Sequence, residues 1–271
     1  MERFQNYINQ SLSLYSIFGY LLPGFFLTSL LIVDYDLAAI LRKMENNSEI
    51  KLETIKSLDL KIYYLLDFFS TGTLSDFKFI PFILFLFFCY LIGHVVSAFA
   101  SLFIERLFVR FVFGYPSSIL MKGGDNPKWP ILFGSYRRPF NSQMIREIKD
   151  EVKKVFEFDV NSKDYYWLLY SYIITTRPYL APRVHHFVNL YGFSRNVCAT
   201  FLFYIAFRFL FLDCLAGSKM DWASWSIMGL FSISSFLLFY NYLKLFKRQA
   251  VDVYYLFLSI KHDSRKNDLD D

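Results

Sequence analysis

The residues with reactive side chains are few and scattered. Four histidines (His94, His185, His186, His262) and three cysteines (Cys89, Cys198, Cys214) occur in 271 residues. None falls in an HExxH, CxxC or other ligand-spaced pattern, and adjacent His185 and His186 point about 100° apart on a helix, so no metal site is expected. Gly192-Phe193-Ser194-Arg195-Asn196 falls short of a nucleophile elbow, and no strand precedes it. No glycine loop has phosphate-cradling spacing. The chain is therefore expected to have no catalytic residue and no cofactor, and to work without enzymatic turnover.

The chemistry that does accumulate is cationic and aromatic. Lys122, Lys128, Arg137, Arg138 and Arg146 face only Asp125, and Tyr115, Trp129, Phe133, Tyr136 and Phe140 interleave them. Guanidiniums can clamp phosphates in a fork, and aromatic faces can stack bases. The candidate ligand residues are Lys122, Lys128, Trp129, Tyr136, Arg137, Arg138 and Arg146, centred on GSYRRPF at 134–140. The same excess of charge also fits a loop held on the inner side of a membrane, touching anionic head groups. Both readings stay open.

A second constellation lies in YLIGHVVSAFASLFIER, 90–106. On a helical wheel Cys89, Tyr90, Gly93, His94, Ser97, Ala98, Ala100, Ser101 and Glu105 fall in one half, and Phe85, Phe88, Ile92, Val95, Phe99 and Phe103 in the other. The bulky half suits lipid; the small half suits close helix contact, because small residues let backbones approach. Gly93, His94, Ser97, Ser101 and Glu105 are the candidate packing or pore residues, with Arg208 as a sixth. The seam fits packing within one chain, contact between subunits or a pore wall. Arg208 fits snorkelling beside Asp213 or a pore-facing position.

These residues need elements to hold them, and hydropathy supplies four. Hydrophobic residues make up 55% of the chain and aromatic residues 21%, and they clump. The expected fold is mainly α: an integral membrane protein with four transmembrane helices and a mostly helical cytoplasmic insert between helices 2 and 3. The first span lies within 1–33, kinked at Leu22-Pro23-Gly24; the second is 79–104, the third 196–214 and the fourth 222–246. An acidic extracytoplasmic loop (34–78), a basic cytoplasmic domain (105–195), an outer turn (215–221) and a cytoplasmic tail (247–271) complete the chain. Lys and Arg outnumber acids by 14 to 8 in 105–195 but trail them by 6 to 8 in 34–78, which places both termini and the insert on the cytoplasmic side.

Within the insert, proline and glycine predict turns and short strands over 114–140. Asn141 or Ser142 caps a helix carrying Ile145, Ile148, Val152 and Val155, and a tyrosine-rich helix covers 163–176. Residues 177–196 read as an elbow at the membrane surface.

This organisation (spans, a basic aromatic insert, then further spans) resembles the small membrane effectors of bacterial anti-phage systems, most closely the channel component of the Hailong system. The resemblance implies a homo-oligomeric ion channel, taken as a tetramer, in the bacterial inner membrane. It also implies a partner nucleotidyltransferase, a single-stranded DNA or nucleotide ligand on the cytoplasmic domain, and growth arrest as the readout. Membrane lipids are the other expected partner. The alternative is a non-conducting membrane scaffold or regulatory subunit that binds a cytosolic protein.

Overall fold

A computed structural model of the chain describes residues 17–32, 79–122, 131–156, 165–210 and 222–270, and every regular element among them is helical. Helix α1 opens with a wide, π-type turn, Ile17–Leu21, and continues through 22–32. Helix α2 is Phe79–Phe99, extended without a break by a wide-turned segment, Ala100–Phe113. Then come α3 (Pro116–Met121), α4 (Ile131–Arg137), α5 (Ser142–Phe156) and α6 (Tyr165–Thr176). A 3₁₀ turn, Pro178–Leu180, leads into α7 (Ala181–Phe207), and α8 is Trp222–Asp270.

Local chemistry explains several boundaries. Gly114 ends α2 at φ +77°, where its N–H reaches the Val109 carbonyl at 2.7 Å; that left-handed region favours glycine. Pro116 starts α3 where no backbone donor is needed. Asn141 Oδ1 accepts the Met144 N–H at 2.7 Å, the capping bond its residue type promises. Ile145, Ile148 and Val152 of α5 are buried, and Arg146, Lys149 and Asp150 between them are exposed.

Three expectations change. Among the described residues, 114–140 form α3 and α4 with no strand. The elbow is confined to the 3₁₀ turn: Pro182 sits in the first turn of α7, where its missing N–H costs nothing, so the helix runs unbroken to Phe207. The tail is not a tail. Hydropathy drops at Lys247 and Arg248, but α8 continues, and Ala250, Val253, Tyr254 and Phe257 are buried. The loop 34–78 and the turn 215–221 lie outside the described residues.

The chain divides into two compact units. The basic unit holds the described residues of 99–195 and 237–270. Its core unites Leu120, Ile148, Leu169, Ile173, Val253 and Phe257, each contributing roughly 1.5–3 kcal/mol by burial.

The apolar unit holds the described residues of 17–98 and 196–236. There α1 and α2 cross at two glycines. A Cβ on Gly24 would collide with the Cys89 carbonyl, and one on Gly93 with the Tyr20 carbonyl. Pro23 has no N–H to offer the Gly19 carbonyl four residues back; Asn196 of α7, fully buried, donates its side-chain amide there at 2.8 Å. Ser235 of α8 donates to the Cys198 carbonyl at 3.3 Å. Cys89 and Cys198 are free and buried.

Among the described residues two helices are long and apolar enough to cross a membrane, Phe82–Met121 and Trp225–Lys261; Gly19–Ile32 is apolar but shorter. Leu84, Phe87, Phe88 and Val95 of α2 and Leu230, Ile233 and Leu237 of α8 are exposed. Apolar faces of that extent are stable in lipid rather than water.

Candidate anion-binding site

The basic unit spends part of its charge on its own helix ends. The Arg137 guanidinium donates to the Val112 carbonyl, and the Tyr136 hydroxyl donates to the Gly114 carbonyl at 2.9 Å. Tyr136 is buried with its ring edge-on to Phe113, so it cannot act as an open stacking platform. Burial pushes its phenol far above the ordinary range, which keeps it a protonated donor. Both residues therefore tie α4 to the end of α2. Lys247 of α8 donates to the Ser135 and Arg138 carbonyls, the second at 2.9 Å, satisfying carbonyls that a helix C-terminus leaves orphaned.

Lys122, Arg138 and Arg146 are exposed, on the bend after α3, just past α4 and on α5. Lys128 and Trp129 lie outside the described residues. Among the described residues, the stretch 122–146 thus supplies scattered surface cations and two structural residues.

Cations converge elsewhere. A cavity of about 320 Å³ lies between α4 and α8, lined by Phe133, Tyr136, Tyr240, Lys244, Lys247 and Arg248 among others. A larger one, about 670 Å³, lies between α7 and α8, where Tyr179, Arg183, His186, Phe187, Arg248 and Asp252 meet. Arg248 lines both, with its guanidinium 5.3 Å from the centre of the Phe187 ring, a cation–π distance. Arg183 forms a two-point bridge to Asp252, 2.9 and 3.1 Å, and that hydrogen bond raises its pKa further. One carboxylate thus faces two guanidiniums and His186, while the Tyr179 ring stands open at 64% exposure. Such a cavity can bind an anion and stack a planar group.

Next to this cavity, His185 turns the other way. Its Nδ1 lies 3.4 Å from the Tyr170 hydroxyl, and burial lowers its pKa. The neutral ring can accept the phenolic proton, and burial raises the Tyr170 pKa.

The packing candidates separate by unit. In the apolar unit Gly93 sits in the α1 crossing, Ser97 is buried, and His94 is exposed at its edge, stacked on Tyr20 at 4.0 Å. At Gly93 the small-residue seam is thus occupied within the chain, by α1. Arg208 is buried and donates to the Tyr204 hydroxyl at 3.0 Å; it is not open to solvent, and Asp213 lies outside the described residues. In the basic unit Ser101 is half-buried. Glu105 accepts from Arg195 in a largely enclosed ion pair. The Tyr242 phenol is buried within electrostatic reach of that pair.

The cavity residues Tyr179, Arg183, His186, Phe187 and Asp252 escape a linear reading because 179–187 and 248–252 come together only on folding. The available signal was the spacing Lys244, Arg248, Asp252, four residues apart each time, on one helix face. Among the described residues no group of histidine, cysteine and carboxylate side chains could hold a metal ion. No family model, curated protein or solved structure matches the chain.

Proposed function

We propose that the chain is a multi-pass membrane effector. Its apolar unit crosses the membrane in four helices, and its basic unit binds a phosphate-bearing ligand, a nucleotide or single-stranded oligonucleotide, on the cytoplasmic side. Chains assemble as a homo-oligomer, and the ligand controls ion flow through it without any catalytic step. A role in anti-phage defence, with a nucleotidyltransferase supplying the ligand, rests on the resemblance in organisation alone.

The observation that carries this reading is the larger cavity. It offers two guanidiniums, an imidazole and an open tyrosine ring against one carboxylate, in a unit sharing a chain with two helices long enough to span a bilayer. The test is direct. A labelled single-stranded oligonucleotide and ATP are titrated into the purified full-length chain, and polarisation is followed with rising salt. Binding with a negative salt slope, weakened at least tenfold in Arg183→Glu and His186→Ala, supports the reading. Equal affinity in both variants sinks it.

A second reading has its own support. Gly93 of α2 packs against α1, and Ser97 is buried within the chain, which leaves less of the small-residue seam for a subunit contact. That favours a non-conducting scaffold or regulatory subunit. Reconstituted liposomes that stay ion-tight with and without bound oligonucleotide would select it.

A further inference from the structure

The smaller cavity has a different chemistry from its neighbour. Its walls are apolar, Phe133, Tyr136, Tyr240, Leu243 and Val251, and its polar side is made by three cations, Lys244, Lys247 and Arg248. Among the described residues no carboxylate lines it. Lys247 is fixed in place because two of its three N–H bonds go to the Ser135 and Arg138 carbonyls. Those carbonyls orient the ammonium and leave its charge uncompensated. The Arg138 guanidinium lies close enough to add to the same positive potential.

The cavity also has a definite place along α8. Leu237, exposed, and Tyr240 precede Lys244 at intervals of three and four residues, so all three share one face. That face changes from apolar to cationic within two turns, at the end of a long apolar run. A soluble phosphate site is usually built from backbone N–H groups and hydroxyls. Here apolar rings surround the cations instead, and α4 turns its carbonyl end towards them, already capped by Lys247.

We propose that the cavity between α4 and α8 binds the head group of an anionic phospholipid, its phosphate on Lys244, Lys247 and Arg248 and its glycerol and first acyl carbons along Tyr240 and Leu237. A volume of about 320 Å³ admits one glycerophosphate group. The apolar walls accept what a free phosphate lacks. The inference rests on the membrane placement proposed above, and the cavity shares Arg248 with the larger one.

The test uses the full-length chain, extracted in detergent, stripped of lipid and examined by native mass spectrometry. Phosphatidylglycerol, phosphatidylcholine and soluble glycerol 3-phosphate are added in turn. Phosphatidylglycerol should be retained roughly tenfold over phosphatidylcholine. Lys244→Gln, at an exposed position, should lower that retention about fivefold, the share of one surface cation. Val251→Trp fills the cavity without changing its charge and should remove the preference. Equal retention of both lipids overturns the proposal, as does an unchanged preference in both variants. Displacement of the lipid by equimolar glycerol 3-phosphate would mark a soluble-phosphate site instead. Release of the chain from vesicles by alkaline carbonate would overturn the membrane placement itself, before any lipid is scored.

Discussion

The apolar unit and the basic unit use their diagnostic residues in opposite ways. In the apolar unit the residues that mark contacts are small or polar. Gly24 and Gly93 mark backbone approach, and Asn196 replaces the donor that Pro23 lacks. In the basic unit the residues that stand out are charged, and many are consumed as caps: Arg137 on α2, Lys247 on α4. The difference follows from the physics of each setting. In an apolar packing layer an unsatisfied carbonyl costs several kcal/mol, so a polar or small residue is tolerated only where it has a structural task. In the basic unit a cation such as Lys122 or Arg146 can lie exposed on the surface, so its presence says little about where a ligand goes.

The comparison breaks most visibly at the glycine crossing. Gly93→Leu and Gly24→Ala should each destabilise the folded chain by at least about 3 kcal/mol, because the clash is with backbone and cannot be relieved by a rotamer change. The loss should appear as a lower thermal midpoint of the isolated chain in detergent. An oligomer that dissociates into equally stable chains would place the seam between subunits after all. Gly229→Ala, where nothing lies within 4 Å of an added Cβ, is the control and should change little.

Next in size come the buried polar groups. Asn196→Leu strands the Gly19 carbonyl and should cost about 1–3 kcal/mol. In a Pro23→Ala background residue 23 regains an N–H, so the same substitution should cost measurably less. Additivity in this double-mutant cycle would show that Asn196 does not act through that carbonyl. Arg195→Met should likewise cost about 1–3 kcal/mol by leaving Glu105 without its partner. Arg195→Met with Glu105→Gln should recover part of it. No recovery would mean that the pair contributes through packing alone.

A smaller effect is expected where cations act as caps. Arg137→Ala removes a donor to the Val112 carbonyl on an accessible surface and should cost about 1 kcal/mol. Oligonucleotide affinity should stay within twofold of the parent, since Arg137 is committed to the fold. A tenfold drop would return the ligand site to 134–140.

How much of this was legible follows the same division. The wheel drawn for α2 agrees with the buried Cys89, Gly93, Ser97 and Ala100 and the exposed Phe88, Val95, Phe99 and Phe103. His94 and Ala98 of its small half are exposed, however, and Phe85 and Ile92 of its bulky half are half-buried, because size sorts only the residues that a neighbouring helix covers. The α5 cap at Asn141 was legible because capping is local. The two cavities were not, since each joins segments more than sixty residues apart through contacts that no periodicity records. The burial of Ala250 to Phe257 was hidden too. Lys247 and Arg248 lower the hydropathy there, yet Arg248 lies on the helix face away from Ala250 and Val253, and Lys247, at the edge of the buried stripe, spends its ammonium on the Ser135 and Arg138 carbonyls.

The smallest effect tests whether the basic unit holds a pH-sensitive element. His185 is half-buried against Tyr170, and its pKa is lowered from the ordinary 6.5. Below about pH 6.5 the unfolded chain takes up a proton that the folded chain refuses. Stability from this group is therefore complete above 6.5 and is lost as pH falls through that value towards the folded pKa. The thermal midpoint should fall between about pH 7 and pH 5.5, and His185→Phe, which keeps a ring beside Tyr170, should flatten that fall. Tyr170→Phe should leave most of the slope in place, because desolvation, not the phenol, sets the shift. If His185→Phe keeps the parental slope, the acid sensitivity does not lie in His185, and its burial against Tyr170 carries no pH response.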